Sequence, residues 1–304
     1  MPGDSGAEPL VPILVDGTGR DGTTLLMQLL GTAAEIAFDR TYPYEQRYFS
    51  YLLQWARLPL LEDWDSELWT LDSLAHTEDL AEATVVGPIP WPERSLLMGD
   101  GKPEFWVEAF DIAWATFSRR AREAMRSRLG DPKLEVRYYA QKIAESWALP
   151  PALRAEARLL CILRDPRDTW MSSLAFHRRR EAVGDSFLPL GPDESEDAFL
   201  RKFIEDQRAR MQWLREVESA AVPVVRYEGL VGDLAAAAAQ LGELLGVRLD
   251  AEAVLRRRGD YEQHMTAGGP EQSVARWRRE MDDDVAALFW QAMGEELAAF
   301  GYEP

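Results

Sequence analysis

The sequence predicts an α/β protein, a single domain with a central, mostly parallel sheet flanked by helices. Short apolar runs rich in branched residues alternate along the chain with longer helical stretches, and this alternation is typical of parallel sheets. The chain has 304 residues, enough to bury a large core, and its hydrophobic content of 46% and charged content of 28% are ordinary for a globular protein. We expect residues 1–304 to form one domain with a loose tail at 1–9.

The individual elements follow from local composition. VPILVD (11–16) is an apolar, branched run that predicts a buried strand, and TTLLMQLLG predicts an apolar helix that ends at Gly31. Pro103 begins a long amphipathic helix that ends near Gly130. Further strands are predicted at 133–142, at 157–166, where the strand runs into a helix start, and at 222–230, where it is followed by a turn. Helices are predicted at 199–219 and 233–246. The segment 184–198 predicts an acidic surface loop, and 256–281 predicts a basic segment that ends in a helix.

Charge and cysteine content exclude several classes of function. The net charge is −18, which argues against nonspecific nucleic-acid binding because such binding needs a basic surface. Three histidines and a single cysteine leave little for a structural metal site and nothing for an internal disulfide. We find neither a secretory signal nor an apolar run long enough for a membrane span. We therefore expect a cytoplasmic protein, and the alanine- and arginine-rich composition is typical of a bacterium with high genomic G+C content.

A glycine loop between the first strand and the first helix predicts a phosphate site. LVDGTGRDGTTLL has the G-x-x-x-x-G spacing of the common nucleotide-binding loop, but Thr23 and Thr24 stand where that loop has Lys and Ser or Thr. Gly19 and Gly22 permit a tight turn in which loop N–H groups and the helix N-terminus face one anion. Arg20 is the cation of this loop, which disfavours hydrolysis of a nucleoside triphosphate. The alternative is a strand–turn–helix corner that binds no ligand.

A second cluster follows the strand predicted at 157–166. LLCILRDPRDTWMSS places Arg164 at the end of that strand, Asp165 and Pro166 at a helix start, and Ser172 on the second turn of the helix. A strand-end arginine and a hydroxyl on the next helix can bind one more phosphate, because a guanidinium makes forked contacts. The alternative is that Arg164 and Asp165, or Arg167 and Asp168, form ion pairs at the surface.

Together these two motifs resemble the sulfotransferases that use 3'-phosphoadenosine 5'-phosphosulfate (PAPS). The resemblance rests on G-x-x-R-x-G-T-T-L-L after the first strand and L-R-D-P-R-D-x-x-x-S after a later one. It implies a P-loop-like nucleotide-binding fold and transfer of a sulfuryl group from PAPS to the hydroxyl of a small-molecule acceptor, with 3',5'-ADP as product and no metal. In that family the first loop holds the 5'-phosphosulfate, and the later Arg and Ser hold the 3'-phosphate.

The resemblance also implies a set of site residues. Arg20 and Lys142, a strand-end lysine, would stabilise charge on the leaving oxygen, although the family often continues with Thr-Pro after this lysine and this chain has Ile143 and Ala144. Asp21 stands where the family usually has Ser; its carboxylate either turns outward or caps the helix, and affinity for the cofactor falls if it faces the ligand. The implied cofactor-binding residues are Gly19, Arg20, Asp21, Gly22, Thr23, Thr24, Arg164, Ser172, Tyr227, Ser273, Arg276 and Trp277.

The reaction further needs a base for the acceptor hydroxyl. In several branches of the family this base is a Glu that follows the loop arginine, and in others it is a His. Glu45, in YPYEQRYF, lies 25 residues after Arg20 and is the first candidate. Asp39 is the second candidate, and His76 and His177 are weaker ones. A solvated role at the surface is the alternative for each of these carboxylates.

Aromatic residues are concentrated in the segment 42–70, within a helical region predicted at 39–130 on the acceptor side. They either pack in the core or form the walls of an acceptor pocket, and the second interpretation favours an apolar or aromatic acceptor. Two other functions stay open from the residues alone. One is an ATP-dependent small-molecule kinase, which the missing loop lysine disfavours, and the other is a nucleotide-binding protein without turnover.

Overall fold

The computed structural model describes residues 8–40, 44–57, 102–144, 146, 149, 151–182, 195–219, 222–257, 266–269 and 271–304. They form an α/β fold with a five-stranded parallel sheet flanked by helices, so the predicted fold class is confirmed. Four sequence predictions lie wholly or largely outside the described residues: the tail at 1–9, the candidate base His76, the acidic loop at 184–198, and the later half of the aromatic segment.

The sheet has the strand order β2-β3-β1-β4-β5. In β1 and β3, Val15 lies opposite Lys142, next to the carboxyl end of both strands. In β4 and β5, Leu163 lies opposite Arg226 at the equivalent end. Ligands of parallel sheets bind beyond the carboxyl ends of the strands. The five strands are β1 (Val11–Asp16), β2 (Ile36–Ala37), β3 (Tyr138–Ile143), β4 (Arg158–Leu163) and β5 (Val224–Arg226).

The helices account for most of the other described residues. The segment predicted as a strand and a turn at 222–230 contains β5, and a helix begins directly after Arg226 where the turn was expected. Sequence analysis missed β2 and several helices outside its predicted elements. The helices are α1 (Thr23–Leu30), α2 (Tyr48–Arg57), α3 (Lys102–Leu129), α4 (Pro151–Glu156), α5 (Pro166–Glu181), α6 (Glu196–Ser219), α7 (Tyr227–Gly232), α8 (Leu234–Leu245), α9 (Ala251–Arg256), α10 (Trp277–Glu280) and α11 (Asp283–Ala299), with a 3-10 turn at Glu271–Ser273.

The chain divides into two compact units. The first contains Met1–Gly17, Thr24–Leu160 and Leu244–Leu249, and the second contains Thr18–Thr23, Cys161–Glu243 and Asp250–Pro304.

An aromatic cluster forms the core of the first unit, where α2 and α3 pack on each other and on β3. Phe49 contacts Phe110 and Trp114 edge to face at 5.0 Å and 5.4 Å, and Trp114 contacts Tyr139 at 5.5 Å. The indole of Trp114 also donates to the carbonyl of Leu10 at 2.8 Å. Within the described part of the aromatic segment, Phe49 therefore serves the core, in agreement with the packing interpretation.

In the second unit, α6 packs on α11. Met211 and Leu214 of α6 and Phe289 of α11 are fully buried. Nearby, Gln212 and Arg208 both donate to Oε1 of Glu296, at 2.6 Å and 3.0 Å, and these bonds compensate the burial of this carboxylate. Neither unit contains, among its described residues, a helix with the length and apolar character needed to cross a membrane.

Candidate functional site

The glycine loop, which leads into α1, winds through left-handed backbone. Gly19, Arg20 and Gly22 have φ angles of +85°, +59° and +104°. Glycine adopts such angles freely, whereas a residue with a Cβ loses about 1–2 kcal/mol there. Arg20 is therefore held in a strained conformation by its surroundings.

Gly22, the last glycine of the loop, lies close to the ring of Tyr227. A Cβ built on Gly22 would be 2.4 Å from Cδ2 of Tyr227 and 3.3 Å from Cδ1 of Ile162. Tyr227 follows β5, and its hydroxyl lies 2.6 Å from the hydroxyl of Ser273. The predicted residues Gly22, Tyr227 and Ser273 are thus brought into one contiguous group.

Arg164 joins the same group from the end of β4. Its Nη1 donates to the carbonyl of Arg20 and its Nη2 to the carbonyl of Ser273, both at 2.7 Å. The guanidinium lies 4.5 Å from the ring centroid of Tyr227. An ion pair between Arg164 and Asp165, the alternative raised by the sequence, is not formed in the described structure, where Asp165 instead pairs with Arg167 at 2.9 Å.

A guanidinium carries five N–H donors, so the two bonds of Arg164 leave donor capacity for a ligand. Its Nε is buried and has no hydrogen-bond partner within the described ranges. A buried donor of this kind costs free energy until a partner satisfies it. The donor set around Arg164 therefore fits a phosphate.

The loop arginine reaches the hydroxyl on α5. Nε of Arg20 donates to Oγ of Ser172 at 3.2 Å, and its guanidinium lies 4.4 Å from the ring centroid of Phe176. Ser172 is 2% exposed, and its hydroxyl also lies 3.0 Å from that of Thr266. The family resemblance implies that Arg20 and Ser172 bind different phosphates, whereas the structure places their side chains in contact. No sequence motif marks Thr266, so its contact with Ser172 was not predicted.

Asp21 turns inward. Its side chain is 3% exposed, and its two oxygens accept the N–H groups of Thr18 at 2.6 Å and Thr23 at 3.4 Å. Burial raises the pKa of Asp21, and the charge of Arg210 opposes that effect. Of the two orientations considered from the sequence, the outward one is wrong. The N–H of Thr23 therefore donates to this carboxylate, whereas the sequence predicted that the loop N–H groups face a bound anionic ligand.

Arg276 stabilises the C-terminal segment of the site. Its Nε donates to Glu280 at 2.7 Å, and its Nη1 donates to the carbonyl of Thr266 at 3.0 Å. The guanidinium thus holds the backbone that carries Thr266, the residue in contact with Ser172. These bonds indicate a supporting part for Arg276, whose predicted contact with the cofactor stays a prediction.

Trp277 also lies behind the group. Its ring covers the guanidinium of Arg167 at 3.7 Å from the centroid, and its N–H donates to Asp168 at 2.8 Å. Asp168 is 1% exposed, and its Oδ2 has no hydrogen-bond partner among the described residues. Burial raises the pKa of Asp168 to about 6.

A second group of charged residues lies in the first unit. Nζ of Lys142 donates to Glu45 at 2.6 Å and to the hydroxyl of Thr24 at 3.0 Å. Arg47, which the sequence analysis missed, donates to the other oxygen of Glu45 at 2.9 Å. Burial opposes ionisation of Glu45, but Lys142 and Arg47 outweigh it and hold the pKa of this carboxyl below its ordinary value of 4.5. Glu45 is therefore ionised at neutral pH.

The other candidate bases have different surroundings. His177 lies on α5, with its Nε2 3.3 Å from Glu181. Asp39 lies in the coil after β2 and acts electrostatically on Tyr139. Among the three candidates that the structure describes, Glu45 is the one in contact with Lys142. Within the described ranges no group of three or more His, Cys, Asp or Glu side chains could hold a metal ion.

Comparisons with known proteins bear on these groups. A family model described as "Sulfotransferase family" matches residues 12–251. No curated protein matches the chain. A solved sulfotransferase domain from the Synechococcus PCC 7002 olefin synthase is 14% identical, with 98% of each chain covered and a TM-score of 0.50.

Two further solved structures are similar over most of the chain. The sulfotransferase domain from the curacin biosynthetic pathway is 16% identical, with 98% of this chain and 99% of that chain covered and a TM-score of 0.41. Retinol dehydratase in complex with androsterone and inactive cofactor PAP is 15% identical, with 98% and 84% covered and a TM-score of 0.46. At 14% identity, the likeness to the olefin synthase domain concerns the fold alone.

The close approach at Gly22 makes a stability prediction. We expect Gly22→Ala to lower the free energy of unfolding by more than the ~1–2 kcal/mol of left-handed strain, because the new Cβ also displaces Tyr227. Gly19→Ala is the matched control, since a Cβ there meets nothing within 4 Å. Denaturant unfolding measures both variants. Equal losses in the two would contradict the packing of Tyr227 on the loop.

The raised pKa of Asp168 makes a prediction about pH. The folded protein holds this proton up to about pH 6, whereas the unfolded chain releases it near 3.8. The folded state binds more protons between these values, so stability is lost as the pH rises through 6. From pH 5 to pH 7 we expect a loss of about 1 kcal/mol from this group.

The control for this effect is Asp168→Asn, which removes the titration. Thermal unfolding of both proteins at pH 5, 6 and 7 isolates the contribution of Asp168 from that of other acids. Identical pH dependence in the wild type and the variant would contradict the prediction.

Proposed function

Because the chain belongs to the Sulfotransferase family, we propose that it transfers a sulfuryl group from PAPS to the hydroxyl of a small-molecule acceptor. One observation carries the proposal: Arg20, Arg164, Ser172 and Ser273, from four separate segments, meet in one hydrogen-bonded cluster. Arginine and hydroxyl donors gathered in this way form a typical phosphate site.

The glycine loop, Arg164 and Ser172 would hold the phosphates of the cofactor. Arg164 and Ser172, with Arg20 beside them, would bind the 3'-phosphate, and the buried Nε of Arg164 supports this assignment. N–H groups of the glycine loop and the N-terminus of α1 would bind the 5'-phosphosulfate. Thr23 and Thr24 at the start of α1 would add hydroxyl donors.

PAPS would supply an activated sulfuryl group, so that 3',5'-ADP would leave as the acceptor oxygen replaces the 5'-phosphate oxygen on sulfur. Glu45, ionised at neutral pH, would take the proton of the acceptor hydroxyl. Lys142 is 2.6 Å from Glu45 and would orient it. As a cation that also donates to Thr24, Lys142 would stabilise negative charge on the leaving oxygen.

The surface of the first unit supports an apolar acceptor. A groove of about 740 Å³ lies between α2 and α3, within the usual size range of small-molecule sites. Trp55 and Ile112 line it and are 59% and 72% exposed. Tyr51, next to the groove residue Leu52 in sequence, donates its hydroxyl to the carbonyl of Glu45 at 3.3 Å. An apolar or aromatic alcohol suits these surroundings.

Ligand binding tests the cofactor assignment. We expect 3',5'-ADP at ~100 times its dissociation constant to stabilise the wild type by about 2.7 kcal/mol. ATP with magnesium should stabilise it far less. Arg164→Ala and Ser172→Ala should each weaken the binding of 3',5'-ADP about tenfold or more, because each removes a phosphate donor.

The matched control is Arg119→Ala, which removes an arginine from an exposed pair with Glu123. Thermal shift at several ligand concentrations gives the affinities. Stabilisation by ATP with magnesium alone, or an unchanged affinity in Arg164→Ala, would contradict the assignment.

The role of Glu45 is tested by kinetics. We expect Glu45→Gln to lower kcat about a hundredfold, because the base is lost, while 3',5'-ADP binds as in the wild type. Glu45→Asp, which keeps a carboxylate, should retain more activity. Asp39→Asn is the control for the second candidate and should leave kcat near that of the wild type. Full activity in Glu45→Gln would transfer the role of base to another residue.

A further inference from the structure

We propose that Asp21 is a positioning residue: its carboxylate clasps the two ends of the loop from Thr18 to Thr23 and thereby holds Arg20 against Ser172. The inference rests on the proposed function for its effect on the cofactor. The clasp itself is a property of the chain without ligand.

The contacts of Asp21 define the clasp. One oxygen accepts the N–H of Thr18 and the other accepts the N–H of Thr23, at 2.6 Å and 3.4 Å. These two residues bracket the left-handed stretch at Gly19, Arg20 and Gly22. A side chain inside the loop therefore closes it, as a bound anion would.

Helix α6 supports the clasp. Gln207 is 5% exposed and donates to the hydroxyl of Thr18 at 3.3 Å. Arg210 acts electrostatically on Asp21 and is itself held by the carbonyl of Ile162 at 3.1 Å. A buried carboxylate is costly unless it is paired and hydrogen-bonded. This carboxylate accepts two N–H groups and lies in the field of Arg210, while its burial still raises its pKa.

The backbone carbonyl and the side chain of Arg20 both depend on the loop conformation. The carbonyl of Arg20 accepts a hydrogen bond from Nη1 of Arg164, and Nε of Arg20 donates to Ser172. Arg20 has a φ of +59°, which it would leave if the loop were released. A change of φ would move the carbonyl and the guanidinium together. Loss of Asp21 should therefore disturb both contacts at once.

Electrostatic repulsion between Asp21 and the cofactor is the alternative, and it predicts the opposite effect. If Asp21 were only a negative charge beside a phosphosulfate, its removal would tighten the binding of 3',5'-ADP. If Asp21 positions Arg20, its removal should weaken that binding. The sign of the change separates the two.

The first experiment is a double-mutant cycle on 3',5'-ADP binding, measured by calorimetry. We expect Asp21→Ala to weaken binding about tenfold, and Asp21→Asn, which can accept one N–H, to weaken it less. The double variant Asp21→Ala/Arg20→Ala should lose less affinity than the sum of the two single losses, because the part of the effect that passes through the Arg20 guanidinium is lost only once. Tighter binding in Asp21→Ala, or fully additive losses, would overturn the proposal.

The second experiment needs no ligand. Hydrogen exchange of peptides that cover residues 17–24 should be faster in Asp21→Ala and in Asp21→Asn than in the wild type.

Asp233→Ala is the matched control, since Asp233 accepts the N–H of Ala236 at the start of α8 and lies outside the loop. Unchanged exchange in the loop would overturn the clasp. A wild type that fails to bind 3',5'-ADP would instead overturn the proposed function, and the exchange data would still decide the clasp.

Discussion

The guanidinium of Arg164 holds together segments that are far apart in the sequence. It donates to the carbonyl of Arg20 in the glycine loop and to the carbonyl of Ser273, and it lies on the ring of Tyr227. It is 5% exposed, so these bonds form away from water, where they are electrostatically stronger. A lysine could not replace it, because only a guanidinium donates in several fixed directions from one plane.

Buried charge is the common feature of the second unit around this arginine. Asp165 pairs with Arg167, whose guanidinium is covered by Trp277, and Asp168 accepts the N–H of the same tryptophan. Asp21 is buried at the loop. Each of these groups would be costly alone, and perturbed acids are concentrated at functional sites. Although the whole chain has a net charge of −18, local arginines give this region the donors that an anion needs.

The first unit contributes a different kind of chemistry. Glu45 is held between Lys142 and Arg47, and both cations favour its ionised form. Such a carboxylate is ionised at neutral pH, but its lowered pKa also makes it a weaker base.

The sequence by itself determined the α/β class, the glycine loop and the strand-end position of Arg164, because these depend on local periodicity and on residue types at short spacing. It also indicated Glu45, Lys142, Tyr227 and Ser273, through a family resemblance. The tertiary structure alone decided which of them meet. Arg20 and Ser172 are 152 residues apart and are joined by a side-chain bond that no spacing rule contains.

The inward turn of Asp21 and the contacts of Thr266 and Arg47 were equally beyond local pattern. The residue type does not distinguish a buried carboxylate from an exposed one, because the packing around the side chain sets its orientation and its pKa. The two-residue strand β2 is too short for any periodicity to mark it, since its extended backbone is imposed by its neighbour β3.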